Sequence, residues 1–249
     1  MNTDTLTRRQ ITEWARLTQK KYRRECGEFL IEGEICVREA LRVKRDRIEA
    51  VLVLRSEYDA WRARPEVKGV PLYAVNAEIF QRFTKSDSTQ GVVAIAHMFN
   101  LPARAGKIAL ACEQVSDPGN CGALMRVADF FGASELYLGT DSAEVWNPKV
   151  VRGSMGSLFH QPLRVEADLA AVLRAWPGDS AALISHGGQP LRKNMNLKPP
   201  VLIVLGHETR GLSAELADLC THRLTLESRG GAESLNLVTA AAVFAYALS

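Results

Sequence analysis

The 249-residue chain is 47% hydrophobic and 24% charged, proportions ordinary for a folded, soluble protein of one large or two smaller domains. No run approaches the roughly 20 apolar residues of a membrane span. The opening MNTDTLTRRQITEW lacks the apolar core of a secretory signal, so a cytoplasmic location is expected. Cys26, Cys36, Cys112, Cys121 and Cys220 form no C-x-x-C pair, which suits reduced, packed thiols and argues against a structural metal. Residues 1–106 hold 19 Lys and Arg against 14 Asp and Glu, whereas residues 107–249 hold 12 against 14. The basic excess is densest at Arg8, Arg9, Arg16, Lys20, Lys21, Arg23 and Arg24. Such a cluster suits a polyanion, although a solvated helix face would carry the same residues.

In chain order, Leu6, Trp14 and Leu17 among charges predict an opening helix to about Lys21. GEFLIEG reads as a short strand, and EICVREALRVK as a helix with Ile35, Val37, Ala40 and Leu41 inward. The strand IEAVLVL, a polar helix near Tyr58–Arg64, the strand VPLYAV, the helix AEIFQRF and the strand GVVAIAHMF follow. This alternation predicts a small α/β sandwich over residues 1–100. Pro102, Arg104, Gly106 and Lys107 suggest a linker. Over 107–249 the alternation restarts: strand IALACEQV, a helix from about Cys121 to Phe131, strand ELYLG and helix NPKVVRGSMGSLF. Strand QPLRV, helix DLAAVLRAW, strands AALISH and VLIVLG, helix LSAELADLC, strand HRLTL and an apolar helix from Leu235 complete it.

Several catalytic signatures are absent. His207-Glu208 begins a zincin pattern, but Gly211 stands where its second histidine would fall. No G-x-S-x-G elbow, Walker loop or G-x-G-x-x-G fingerprint occurs, and the five histidines are scattered. Three segments place small and polar residues just beyond a predicted strand, where parallel α/β sheets gather ligands. They are CEQVSDPGNCGALMRVADFFGAS (112–134), VLIVLGHETRGLS (201–213) and GGAESLNLVTAAAVFAYAL (230–248). In the first, Asn120 is expected to cap a helix that carries Arg126 on its second turn. In the last, Glu233-Ser234-Leu235-Asn236 opens the apolar helix.

In this order and spacing the three segments resemble the signature motifs of the SpoU–TrmH family of RNA 2′-O-ribose methyltransferases. The likeness spans nearly all of 107–249, including NPKVVRGSMGSLFHQP between the first two motifs. It implies a C-terminal domain with the trefoil-knotted SPOUT fold, an exception to the rule against knotted chains. It also implies S-adenosylmethionine as cofactor and a homodimer through that domain. Residues 1–100, with RECGEFLIEGEICVREAL, are similar to the small α/β ribosomal-protein-like RNA-binding domain that often precedes it. That likeness favours the basic face as an RNA-docking surface. Ribosomal RNA is the expected substrate, with transfer RNA, or a non-catalytic RNA-binding role, as alternatives; a small-molecule O-methyltransferase is disfavoured by the basic N-terminal residues.

Carried over residue by residue, the resemblance assigns catalytic roles to Arg126, Asn120, Glu208, Ser234 and Asn236, and cofactor contacts to Gly206, Leu226 and Leu235. Arg126 would hold a substrate phosphate and stabilise charge developing on the ribose oxygen, since an arginine is too firmly protonated to act as a base. Asn120 would help place the ribose, and Glu208 would organise the second loop or pair with Arg126. Ser234 and Asn236 would set polar groups near the methyl donor. The sequence departs from the family at Leu226-Glu227-Ser228, in place of an Ile-Pro-Met-like run, and at Leu237-Val238-Thr239, in place of Val-Ser-Val. Gly153 replaces a common alanine, and Glu227 puts a carboxylate near the expected adenosine pocket.

Overall fold

The computed structural model describes residues 6–84, 90–193, 195–231 and 234–248. The chain divides into two compact units, one of residues 1–99 with 144–159, the other of residues 100–143 with 160–249.

The first unit contains α1 (Arg8–Ala15), α2 (Lys20–Cys26), β1 (Glu28–Glu32), α3 (Glu34–Val43), β2 (Ile48–Leu54), α4 (Tyr58–Arg62), β3 (Leu72–Val75), α5 (Ala77–Phe80) and β4 (Val92–His97). Its four strands lie in the order β1-β4-β2-β3, with only β2 and β3 parallel. Apolar runs account for these strands: Phe29, Leu30, Ile31, Val51, Leu52, Val53 and Val92–Ala96 are all buried. The expected single opening helix is instead α1, a 3-10 turn and α2, because Gln19 is extended (φ −108°, ψ 133°) and the Thr18 hydroxyl donates back to the Ala15 carbonyl. That break leaves Leu17 fully buried. Ile35 does not point inward as expected but is 50% exposed, since the buried stripe of α3 is Cys36, Val37, Ala40 and Leu41. A residue one step from that stripe is turned about 100° away from it.

Residues 144–159, with α7 (Pro148–Gly153), complete this unit. Trp146 packs on Phe29 at 4.6 Å and edge-on against Phe99 at 5.2 Å. The Cys36 thiol faces the Val151 carbonyl, and Arg152 pairs with the buried Glu32 at 2.9 Å. Arg23, only 2% exposed, donates from Nη1 to the Leu17 carbonyl at 2.8 Å and grips both carboxylate oxygens of Glu144. A charge with so little access to water is tolerated only with its partner in place.

The second unit contains β5 (Ile108–Cys112), α6 (Pro118–Phe130), β6 (Leu136–Gly139), β7 (Leu163–Ala167), α8 (Leu169–Ala175), β8 (Ser180–Leu183), β9 (Gln189–Pro190), β10 (Val201–Leu205), α9 (Ala214–Leu219), β11 (His222–Thr225) and α10 (Leu237–Leu248). Its seven strands run in the order β7-β6-β5-β10-β8-β11-β9, and every pairing is parallel. β5 and β10 are buried along their whole length, as central strands covered on both faces should be. Residues expected to form a linker are tied into this unit: Arg104 donates to the Ala133 carbonyl and to Gln161, both at 2.9 Å. The two-residue β9 had no sequence signal. Glu233, expected at the opening of the last helix, lies outside the described residues.

The buried ion pair yields a stability prediction. Glu144→Ala, which strands the Arg23 guanidinium, is expected to destabilise the protein by about 3 kcal/mol, read as a lowered urea midpoint for the transition of this unit.

Candidate active site

The site is built by strand order. β5 and β10 pair with Cys112 beside Leu205, β8 flanks β10 with Ala182 beside Val204, and Leu224 of β11 lies beside Leu183. The loops leaving these parallel strands therefore open on one edge of the sheet. There they enclose a cavity of about 450 Å³, within the range of small-molecule sites. Its wall is Leu183, Ile184 and Ser185 after β8, Gly206, His207, Glu208 and Gly211 after β10, and Leu226, Glu227, Ser228 and Arg229 after β11. Ser234, Leu235, Leu237 and Ala240, at the start of α10, close it.

The loop after β10 folds back on itself. His207 and Gly211 exchange backbone hydrogen bonds of 2.9 and 3.0 Å, and Gly211 takes φ +71°. A Cβ on Gly206 would fall 2.0 Å from the Leu212 nitrogen, so only glycine allows the closure. The first segment braces this loop from below. The Glu113 carboxylate accepts the Ser213 amide at 2.9 Å, and Gln114 accepts from the Arg210 guanidinium. The Cys112 thiol faces the Gly206 carbonyl at 3.7 Å. Burial pushes the Cys112 and Cys121 thiols up to about 12, so neither is a nucleophile at neutral pH. Among the described residues, no group of three His, Cys, Asp or Glu gathers as a metal site.

The residues singled out in the sequence fall into two groups. Gly206, Glu208, Leu226, Ser234 and Leu235 line the cavity. Asn120 joins them through its side-chain amide, which donates to Glu208 at 2.8 Å and so links the first and second segments. Asn120 is not the helix cap expected: Asp117 caps α6, accepting the Asn120 amide at 2.9 Å, with Pro118 in the first turn. The earlier start moves Arg126 to the third turn of α6, exposed, with no hydrogen bond or ion pair among the described residues. Within the chain Glu208 thus pairs with Asn120 rather than with Arg126. The Asn236 side chain accepts the Val238 amide at 2.9 Å, the hydrogen bond of a helix cap. Sequence reasoning missed Glu113, Gln114 and Arg210; their one signal was position, the first two immediately beyond β5 and the third within the loop after β10. It also missed Arg192, whose guanidinium meets the Glu227 carboxylate at 3.2 Å.

An all-parallel sheet with three loops converging on a cavity defines a ligand-binding α/β domain of the open-sheet kind. The chain belongs to the SpoU rRNA Methylase family, whose model matches residues 107–246. An MRM3-like substrate binding domain matches residues 8–94. The chain is 30% identical over 243 residues to the 23S rRNA (guanosine(2553)-2′-O)-methyltransferase RlmP of Bacillus subtilis (strain 168), covering 96% of this chain and 95% of that one. Among solved structures it is similar to a TrmH-family protein from Porphyromonas gingivalis (TM-score 0.83, 29% identity, 98% of each chain). It is also similar to the AdoMet-bound rRNA methyltransferase of Sinorhizobium meliloti (TM-score 0.82, 28% identity, 98% of this chain and 97% of that one).

Gly206→Ala is expected to cost about 2 kcal/mol or more, because backbone rather than a yielding side chain blocks the new methyl. Gly211→Ala has open space but must adopt φ +71°, and is expected to cost about 1 kcal/mol. Thermal denaturation of the two variants side by side checks the order.

Proposed function

We propose that this protein transfers a methyl group from S-adenosylmethionine to a ribose 2′-hydroxyl of RNA, ribosomal rather than transfer RNA. The observation that carries the reading is similarity along nearly the whole chain to a 23S rRNA 2′-O-methyltransferase, with the second and third of the family's segments lining one cavity and the first joined to it through Asn120 and Glu208. The residues fit the cofactor. Leu226, Leu235, Leu237 and Ala240 give an apolar wall for a flat base, and Gly206, where a Cβ has no room, keeps backbone close to it. When bound, the cofactor supplies an electrophilic methyl group. Gly206, Leu226 and Leu235 hold it, while Ser234 and the Asn120–Glu208 pair fix the polar side of the loops. Orientation of this kind lowers the barrier by aligning donor and acceptor before reaction.

Arg126 holds a substrate phosphate and stabilises negative charge on the attacking oxygen; its guanidinium is exposed and without a partner among the described residues. Residues 1–100 serve as the RNA-binding part and residues 107–249 as the methyltransferase. The exposed Arg8, Arg16, Lys20 and Lys21 supply phosphate-binding charge. A second copy of the chain covers the α6–α10 face, where Phe130 is 83% exposed and Val243 also reaches solvent. The strand order, with β10 between β5 and β8 and α10 packed on α6 and β10, supports the trefoil-knotted path; a crystallographic trace of 201–248 checks it. The five free thiols suit a reducing compartment such as the cytoplasm.

Incubation with labelled S-adenosylmethionine and unmodified total RNA, followed by nucleoside analysis, is expected to put label in a 2′-O-methyl nucleoside of the ribosomal fraction. Arg126→Ala is expected to bind the cofactor normally and to lose about 100-fold in turnover; unchanged turnover would remove Arg126 from the mechanism. Phe130→Glu is expected to convert a dimer to a monomer by light scattering, and a wild-type monomer would refute the second copy.

A further inference from the structure

We propose that Arg229 receives the carboxylate of the amino-acid part of S-adenosylmethionine, making it the residue that selects the complete cofactor over its decarboxylated form. The proposal rests on the methyl-donor reading above. Among the described residues, three with full formal charges line the cavity: Glu208, Glu227 and Arg229. Both carboxylates are already engaged, Glu208 by the Asn120 amide at 2.8 Å and Glu227 by Arg192 at 3.2 Å. Among the described residues, Arg229 has no hydrogen bond or ion pair and is the only Lys or Arg in the wall.

The cofactor carries two cationic centres, the sulfonium and the ammonium, and a single anionic one, its carboxylate. Were the base to lie against Leu226 and Leu235, the amino-acid group would fall among the polar residues of the same cavity. Glu208 and Glu227 are acceptors and give a carboxylate no hydrogen bond; the Arg229 guanidinium attracts it and matches its two oxygens with a planar fork. The backbone on either side of Arg229 is clamped. The Ser228 hydroxyl donates to the Gly230 carbonyl at 3.2 Å and accepts the Gly230 amide at 3.4 Å. Arg229, a wall residue, is thus carried on a turn that Ser228 closes, two residues after Glu227.

The test is calorimetry on the full chain without RNA, using three probes: S-adenosylmethionine, decarboxylated S-adenosylmethionine, and 5′-methylthioadenosine, which lacks the amino-acid group. Wild type is expected to bind the complete cofactor about tenfold more tightly than the decarboxylated one, the value of one partly exposed charge-assisted contact. Arg229→Ala is expected to abolish that preference while binding 5′-methylthioadenosine as wild type does, and Arg229→Lys to keep part of it. A preference unchanged in Arg229→Ala overturns the proposal. So does wild-type affinity of Arg229→Ala for the complete cofactor; a separate RNA titration showing weakened binding by that variant would then assign the guanidinium to an RNA phosphate. If wild type binds none of the three probes, the methyl-donor reading itself fails, and the role of Arg229 with it.

Discussion

The site depends on one pairing: β5 and β10, separated by almost a hundred residues, lie side by side and parallel, in register from Ile108–Val201 to Cys112–Leu205. Because their ends coincide, Glu113 and Gln114 emerge directly beneath the loop they brace, and Asn120 comes within hydrogen-bonding distance of Glu208. A register slip of one residue would turn each side chain to the opposite face and undo all three contacts. The apolar composition of both strands seats them in the covered centre of the sheet, and the contacts of Glu113, Gln114 and Asn120 distinguish this register from a slipped one.

Much of this was legible in the sequence. Strands announced themselves as runs of β-branched and leucyl residues, and the three ligand loops as glycine and polar residues just beyond them. What stayed hidden was of two kinds. Locally, Asp117 and Asn120 are both good capping residues, and only Pro118, well suited to a first helical turn, distinguished them. At long range, no periodicity marks residues 144–159 as part of the first unit, because what seats them is Trp146 against Phe29 and Phe99 and Glu144 against Arg23. Arg23 read as one more cation of a basic surface, yet it is the member of that cluster withdrawn from solvent. Partnerships between distant charges leave no trace in spacing.

Glu227 shows the same limit in the site. From sequence it was an acid intruding on an adenosine pocket. In the structure Arg192 supplies its counter-charge from the segment that leads from β9 towards β10. Neighbouring Lys193 reaches Tyr246 of α10, lying 5.0 Å from its ring centre. Two adjacent cations thereby tie this segment to the loop after β11 and to the last helix. The carboxylate that looked out of place in the sequence thus has a counter-charge within the chain.

The Arg23–Glu144 pair also has a consequence for how the chain is made. The two residues stand 121 positions apart. A ribosome adding about 5–20 residues per second needs roughly 6 to 24 seconds to travel between them. Throughout that interval the nascent first unit holds a cation destined for burial whose counter-ion has not been synthesised. Its earliest-made part is therefore among the later ones to be finished, completed from a stretch encoded within the next domain.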